Sequence, residues 1–186
     1  WDGFLLKWVS WMRQNIPDIS IYATASLSAV LTQRLIEGTL DLALMYRPAQ
    51  PPGLTIEHLF DEEFVLVASA KTAQRRGVSD YVLIDWGPDF QEDHAAEYPE
   101  LTNPGLTLDI GPIGIGYLLS NAASAYLPMR IVKPYIARGR LKEPKRSRTF
   151  IYPVFMVYPE ARDEDAYLPI LDGLRREAAK IRRSAS

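Results

Sequence analysis

The first apolar stripe of the chain falls at Trp1, Phe4, Leu5, Trp8, Val9 and Met12. That spacing is one face of an amphipathic helix, and Pro17 closes it. Trp11 lies off the stripe, either at the edge of a wide core face or on a partner surface. Ile19, Ile21 and Ala23 alternate with Ser20, Tyr22 and Thr24, which predicts a short strand. Ser26 or Ser28 is placed to cap the next helix, with Leu31, Leu35 and Ile36 on one side and Gly38 ending it in the left-handed conformation. Leu40 to Met45 is apolar except for Asp41, and Phe64 to Ala68 is a second continuous run. Such runs predict strands covered on both faces, as in a parallel sheet.

Beyond Ser69 the texture changes. AKTAQRRG, starting at Ala70, is polar and reads as a crossover. Tyr81 to Asp85 is a new strand stopped by Trp86-Gly87-Pro88, and Asp89 is placed to cap a short helix through His94. Leu106 to Ile110 is a strand, followed by GPIGIGYLLS, a glycine-rich turn into a helix. Ser124 to Leu127 predicts a strand and Met129 to Arg138 a helix with Gly139 at its end. Thr149 to Tyr158 is extended, with Pro153 at a kink or edge. Asp163 to Arg183 is an amphipathic helix with Tyr167, Ile170, Leu171, Leu174, Ala178 and Ile181 inside. Strands alternating with helices predict a parallel α/β architecture, in two clusters joined near Ser69 and near Phe150.

The composition narrows the function. With 186 residues and 47% hydrophobic content, the chain can bury a substantial core in one or two domains. Twenty-one basic against 23 acidic residues leave a net charge of −2, without the basic footprint of a DNA-binding surface. The densest basic run, Lys142 to Arg148, is broken by Pro144 and Ser147 and reads as a solvated loop or, less simply, a phosphate or partner contact. Cysteine is absent, which excludes disulfides and thiolate metal sites. No apolar run approaches the roughly 20 residues of a membrane span, and the start lacks a signal-peptide pattern. A soluble, cytoplasmic module is expected.

Catalytic constellations are hard to assemble. His58 and His94 are the only histidines and neither sits in a supporting motif for a triad. Glu92, Asp93 and His94 carry ligand-type groups that point apart on a helix, so no metal is expected. Asp61-Glu62-Glu63 reads as a solvated turn. Binding is more legible. Open parallel sheets hold ligands beyond the C-terminal ends of strands, where helix N-termini present N–H groups. Four ends become candidates: Ser26 and Leu27, Tyr46 with Arg47, Asp85 with Trp86, and Gly111-Pro112-Ile113, where Gly114 or Gly116 would let backbone approach a ligand. Ser26 reads as a ligand contact or a plain cap, Arg47 as a contact or a loop cation, and Trp86 as an apolar wall or core packing. GPIGIG matches neither the P-loop nor the dinucleotide spacing.

The phrase LTQRLIEGTLDLALMYRPAQPPGLTIEHLFDEEFVLVAS, Leu31 to Ser69, resembles the effector-binding domain of LysR-type transcriptional regulators. GRL at Gly139 to Leu141, SAYLP at Ser124 to Pro128 and DWGPDF at Asp85 to Phe90 extend the likeness along the chain. Two departures stand out. Asn121-Ala122-Ala123 replaces a usual glycine. The first strand with its ligand-contacting loop, the winged helix-turn-helix and the linker helix that the family places ahead of the first helix are missing from this sequence. The resemblance implies a two-lobed α/β fold like that of periplasmic binding proteins (type 2), with residues 1–69 and 150–186 in one lobe and 70–149 in the other. It further implies a small-molecule effector between the lobes, with an anionic compound among the candidates, and a dimer or tetramer. DNA would be held only through the winged helix-turn-helix, and no cofactor, metal or enzymatic step is implied. A transporter's solute-binding protein is the rival reading, and an enzyme on the same fold the third.

Overall fold

The computed structural model describes residues 4–71, 80–108, 111–145 and 147–185. Trp1, most of the polar stretch after Lys71, Asp109, Ile110 and Arg146 lie outside the described residues, and so does the Pro112 side chain. In chain order the elements are α1 (Leu5–Asn15), α2 (Ser28–Ile36), β1 (Ala43–Tyr46), β2 (Leu54–Ser69) and β3 (Asp80–Ile84). There follow α3 (Pro88–Glu97), a 3-10 turn (Pro99–Leu101), β4 (Leu106–Leu108) and α4 (Gly111–Ser120). The chain continues through β5 (Ala123–Pro128), α5 (Met129–Ala137), β6 (Leu141–Lys142), β7 (Phe150–Pro159) and α6 (Glu164–Ala185). It divides into two compact units, Trp1–Glu62 with Tyr152–Ser186, and Glu63–Ile151. The divisions fall inside β2 and β7, the two longest strands.

In the first unit the apolar stripe of α1 packs on α6: Phe4, Leu171, Leu174 and Ala178 share one cluster with Leu59, Phe60 and Met156. Trp11 joins this seam. A Cβ built on Gly173 would lie 2.0 Å from its ring, so only glycine lets α6 approach there. Leu31 and Leu35 of α2 cover Ala43 and Met45 of β1. Gly38 takes φ 70 and the Thr39 amide donates to the Arg34 carbonyl at 2.9 Å, which satisfies a helix-end carbonyl as expected. In the second unit Val65, Val67, Val82, Ile84, Leu118, Ala125 and Leu127 form the core. Gly114 lets α4 close onto β3, since a Cβ there would meet Ile84 Cδ1 at 2.3 Å.

The structure corrects several expectations. The sheet pairing is mixed: β3 runs parallel to β4 and β5, but β1 with β7, and β2 with β5 and β6, are antiparallel. Continuous apolar runs report burial on both faces, and an antiparallel strand under helices shows the same pattern. Asp61, Glu62 and Glu63 lie inside β2, not in a turn, and Glu62 is only 3% exposed. The expected strand at Ile19, Ile21 and Ala23 does not form. Residues 20–26 have no hydrogen-bond partner among the described residues, and alternation alone makes no ladder. Neither Ser26 nor Ser28 caps α2: Leu27 is the N-cap residue and no side-chain bond closes that end. Asp89 does not cap α3 either, because Gly87 at φ 105 leads into it and Pro88 takes the first position. The glycine-rich stretch from Gly111 is helix from its first residue, not a turn.

Candidate functional site

Each unit gathers strand ends and a helix start. In the first, β1 ends at Tyr46, paired with Val154 of β7. Tyr46 meets Tyr152 edge to face, with ring centroids 6.4 Å apart. Arg47 follows in the left-handed region at φ 40, and its guanidinium lies 5.0 Å over the Tyr152 ring. Ser26 and Leu27 stand at the start of α2, both exposed, Leu27 at 68%. The Ser26 hydroxyl has no hydrogen-bond partner among the described residues. A groove of about 290 Å³ runs past Ser26, walled by Trp8 and Met12 of α1, Ile21, Leu42 and Leu44.

In the second unit Asp85, Trp86, Pro112 and Ile113 converge where the parallel strands β3 and β4 end and α4 begins. The Asp85 amide donates to the Leu108 carbonyl at 2.8 Å, and its carboxylate accepts from the Gly87 amide at 2.8 Å. Asp85 thus shapes its own turn. Trp86 donates through Nε1 to the Tyr126 carbonyl at 2.9 Å and packs on Phe64, ring centroids 5.0 Å apart. Its ring also lies against Gly111, where a Cβ would come within 2.2 Å. Gly111 is therefore required by the indole, and Trp86 is a packing residue whatever else it touches. Ile113, 52% exposed, projects from the first turn of α4.

Sequence reasoning brought out these seven residues, but missed two features. One is the Arg47–Tyr152 stack, whose members are far apart in the chain. The other is a ring of aromatic groups around His94, which is 1% exposed. Tyr81 stacks on it at 12°, and its hydroxyl lies 2.7 Å from Nε2. Burial holds the His94 pKa below its ordinary value, opposed by Glu100, and raises both Tyr81 and Tyr126. Nearby, the Tyr126 hydroxyl lies 3.0 Å from both the Tyr98 hydroxyl and the Arg148 carbonyl; its one proton serves the carbonyl, and the Tyr98 hydroxyl donates to Tyr126. The Arg148 amide donates to Tyr98, and its side chain pairs with Glu97 at 2.6 Å. Arg148, at the end of the basic run, is thereby held on α3. The four-residue spacing of Phe90, His94 and Tyr98 was the local signal for this cluster. Among the described residues no group of three His, Cys, Asp or Glu side chains is arranged to hold a metal ion. No described helix is long and apolar enough to cross a membrane.

The family model for the LysR substrate binding domain matches residues 2–178. No curated protein sequence matches the chain. Among solved structures, the apo regulatory domain of HypT from Salmonella typhimurium superposes with a TM-score of 0.77 at 15% identity, covering 96% of this chain and 90% of that one. A full-length OxyR variant from Pseudomonas aeruginosa gives 0.70 at 16% identity, with 95% of this chain covering 64% of that protein. Full-length CbnR complexed with its target DNA gives 0.66 at 15% identity, over 94% and 66%. At these identities the structures speak for the fold, which is that of the periplasmic-binding-protein-like (type 2) domains. The family match decides between the regulator and solute-binding readings that the sequence left open. The chain belongs to the LysR substrate binding domain family, the effector-sensing regulatory domains of LysR-type transcriptional regulators.

Proposed function

We propose that this domain binds a small organic effector through Ser26, Leu27 and Tyr46 of one unit and Asp85, Trp86, Pro112 and Ile113 of the other. The supporting observation is that Tyr46 ends β1 and Asp85 and Trp86 follow β3, while Ser26 and Leu27 lead into α2 and Pro112 and Ile113 lie in the first turn of α4, where N–H groups favour an anionic group. The lobes that respond to the effector are residues 1–69 with 150–186, and 70–149. Their mechanism is differential binding: an effector that prefers one arrangement of the lobes shifts the population toward it. The full-length regulator is a cytoplasmic homo-oligomer that touches DNA through a winged helix-turn-helix. The domain itself binds and does not catalyse, a reading favoured by its two histidines and lack of cysteine.

Thermal denaturation in the presence of a metabolite library tests this, because a ligand that binds only the folded state raises the midpoint saturably. At least one small organic acid is expected to do so. Ser26→Ala is expected to weaken that compound about fivefold or more, the loss of one hydrogen bond, and to leave the unliganded midpoint in place, since the hydroxyl makes no internal bond. A library in which nothing stabilises the domain would sink the effector reading.

A further inference from the structure

The second unit holds a cavity of about 410 Å³ that includes none of the proposed effector residues. It lies at the start of the parallel pair β3–β4, where Val82 stands opposite Leu106, whereas Asp85 and Trp86 follow the other end of β3. Tyr81, Tyr117, Leu101 and Leu106 wall it, and Asp80 and Glu100 border it. No Lys, Arg or His is among its described lining residues. Lys71 reaches the last residue of α4 instead, donating to the Ser120 carbonyl at 2.8 Å. Asp80 and Glu100 are both exposed, and neither side chain makes a hydrogen bond or ion pair among the described residues.

Two such carboxylates on open surface would be no more than a solvated rim. Here they border a space of ligand size, beside tyrosine rings whose faces attract cations. One of those rings is fixed in advance. His94 stacks on Tyr81 at 12°, and its Nε2 lies 2.7 Å from the Tyr81 hydroxyl. A wall already held in place spares a ligand the entropy of ordering it. Tyr117 is packed partly against the core of the unit, which steadies the second ring.

We propose that this cavity is a second ligand site, separate from the effector residues, and that it takes a small organic cation. Asp80 and Glu100 would neutralise an ammonium group, and Tyr81 and Tyr117 would cover the apolar body. The site does not depend on the effector reading: its charge preference is the opposite one, and its residues are different.

Amide NMR of the whole chain at constant ionic strength tests this, with phenethylammonium chloride, 2-phenylethanol and sodium phenylacetate as probes of one shape and three charges. The amides of Leu101, Gly105 and Leu106 are expected to shift saturably with the ammonium, less tightly with the alcohol and least with the carboxylate. Asp80→Asn combined with Glu100→Gln alters only exposed side chains, so the fold should persist and report itself in the same spectra. That double variant should weaken the ammonium about fivefold or more, the sum of two exposed ion pairs. Tyr117→Phe, which keeps the ring, should bind as the unaltered chain does, and Tyr117→Leu about two- to fivefold more weakly, the worth of an exposed cation–π contact. Absence of a saturable shift with phenethylammonium overturns the proposal, and so does phenylacetate binding as tightly at these signals. A double variant or a Tyr117→Leu variant that binds phenethylammonium unchanged overturns it as well.

Discussion

Trp86 and His94 are the two side chains on which most of the second unit's aromatic core converges. Trp86 serves the Tyr126 carbonyl, Phe64 and Gly111 at once. Trp86→Ala should therefore destabilise the domain by about 3–5 kcal/mol, the usual cost of emptying such a site, and Trp86→Phe by less. Equal denaturant midpoints for Trp86→Ala and the parent would contradict this packing role, and ligand-binding comparisons belong to the Phe variant. His94 makes stability depend on pH, with a definite sign. Its folded pKa is lowered by burial, so the unfolded chain binds the extra proton first. The stabilisation is complete above the unfolded value of about 6.5 and is lost as pH falls below it toward the folded pKa. Glu97, Glu100, Arg148, Tyr81, Tyr98 and Tyr126 are the titratable groups around the ring. Denaturation midpoints measured between pH 7 and 5 should fall for the parent and flatten for His94→Gln, which keeps a polar partner for Tyr81. Parallel profiles for the two proteins would remove His94 as the cause. Tyr167 is half-buried, its hydroxyl donating to Asp41 at 3.0 Å and its pKa pushed up to about 12, mainly by burial.

At the scale of elements, the α1–α6 seam makes the sharpest demand on one position. Gly173→Ala improves helix propensity by about 1 kcal/mol, but its methyl would meet the Trp11 ring at 2.0 Å. Overpacking of that kind costs about 1–3 kcal/mol, so the net change should be a loss of stability together with a shifted Trp11 emission. A more stable Gly173→Ala variant would show that the seam repacks freely. The same seam shows what the sequence reveals and what it hides. The helices α1, α5 and α6 were legible because a 3.6-residue stripe is a local property, written for α1 and α6 in the buried Phe4, Met12, Leu171 and Leu174 themselves. Strand direction was not legible, because Leu66 opposite Tyr126 is a pairing across sixty residues that no local pattern encodes. Residues 19–23 alternate as a strand should, yet alternation reports faces and not partners. The candidate site divides the same way. Asp85-Trp86-Gly87 and Gly111-Pro112-Ile113 were found as strand ends with glycine nearby, a local signature. Arg47 was read as a contact or a loop cation, but its stack was hidden, because it depends on a φ angle and on Tyr152, more than a hundred residues away.

For the whole molecule, charge sets the expectation for DNA. Duplex DNA is held by neutralising phosphates with Lys and Arg, and binding free of sequence preference scales with how many are engaged. Here 21 basic residues face 23 acidic ones, and several of the described cations are already committed internally: Arg175 to Glu57 and Asp172, Arg148 to Glu97, and Lys180 to Glu177. Arg175 illustrates the degree of commitment, its pKa raised chiefly by the Glu57 hydrogen bonds. What remains is a field without a dominant sign, so this chain by itself should show no sequence-dependent DNA binding. Fluorescence anisotropy with the duplex upstream of its own gene and with a scrambled duplex provides the measurement. The two curves should coincide, and any weak association should vanish as salt rises toward physiological strength, where the screening length is about 8 Å. A salt-resistant preference for the native duplex would place a recognition surface within these 186 residues. Base contacts from Arg148, at the end of the basic run, would first require its pairing with Glu97 to break.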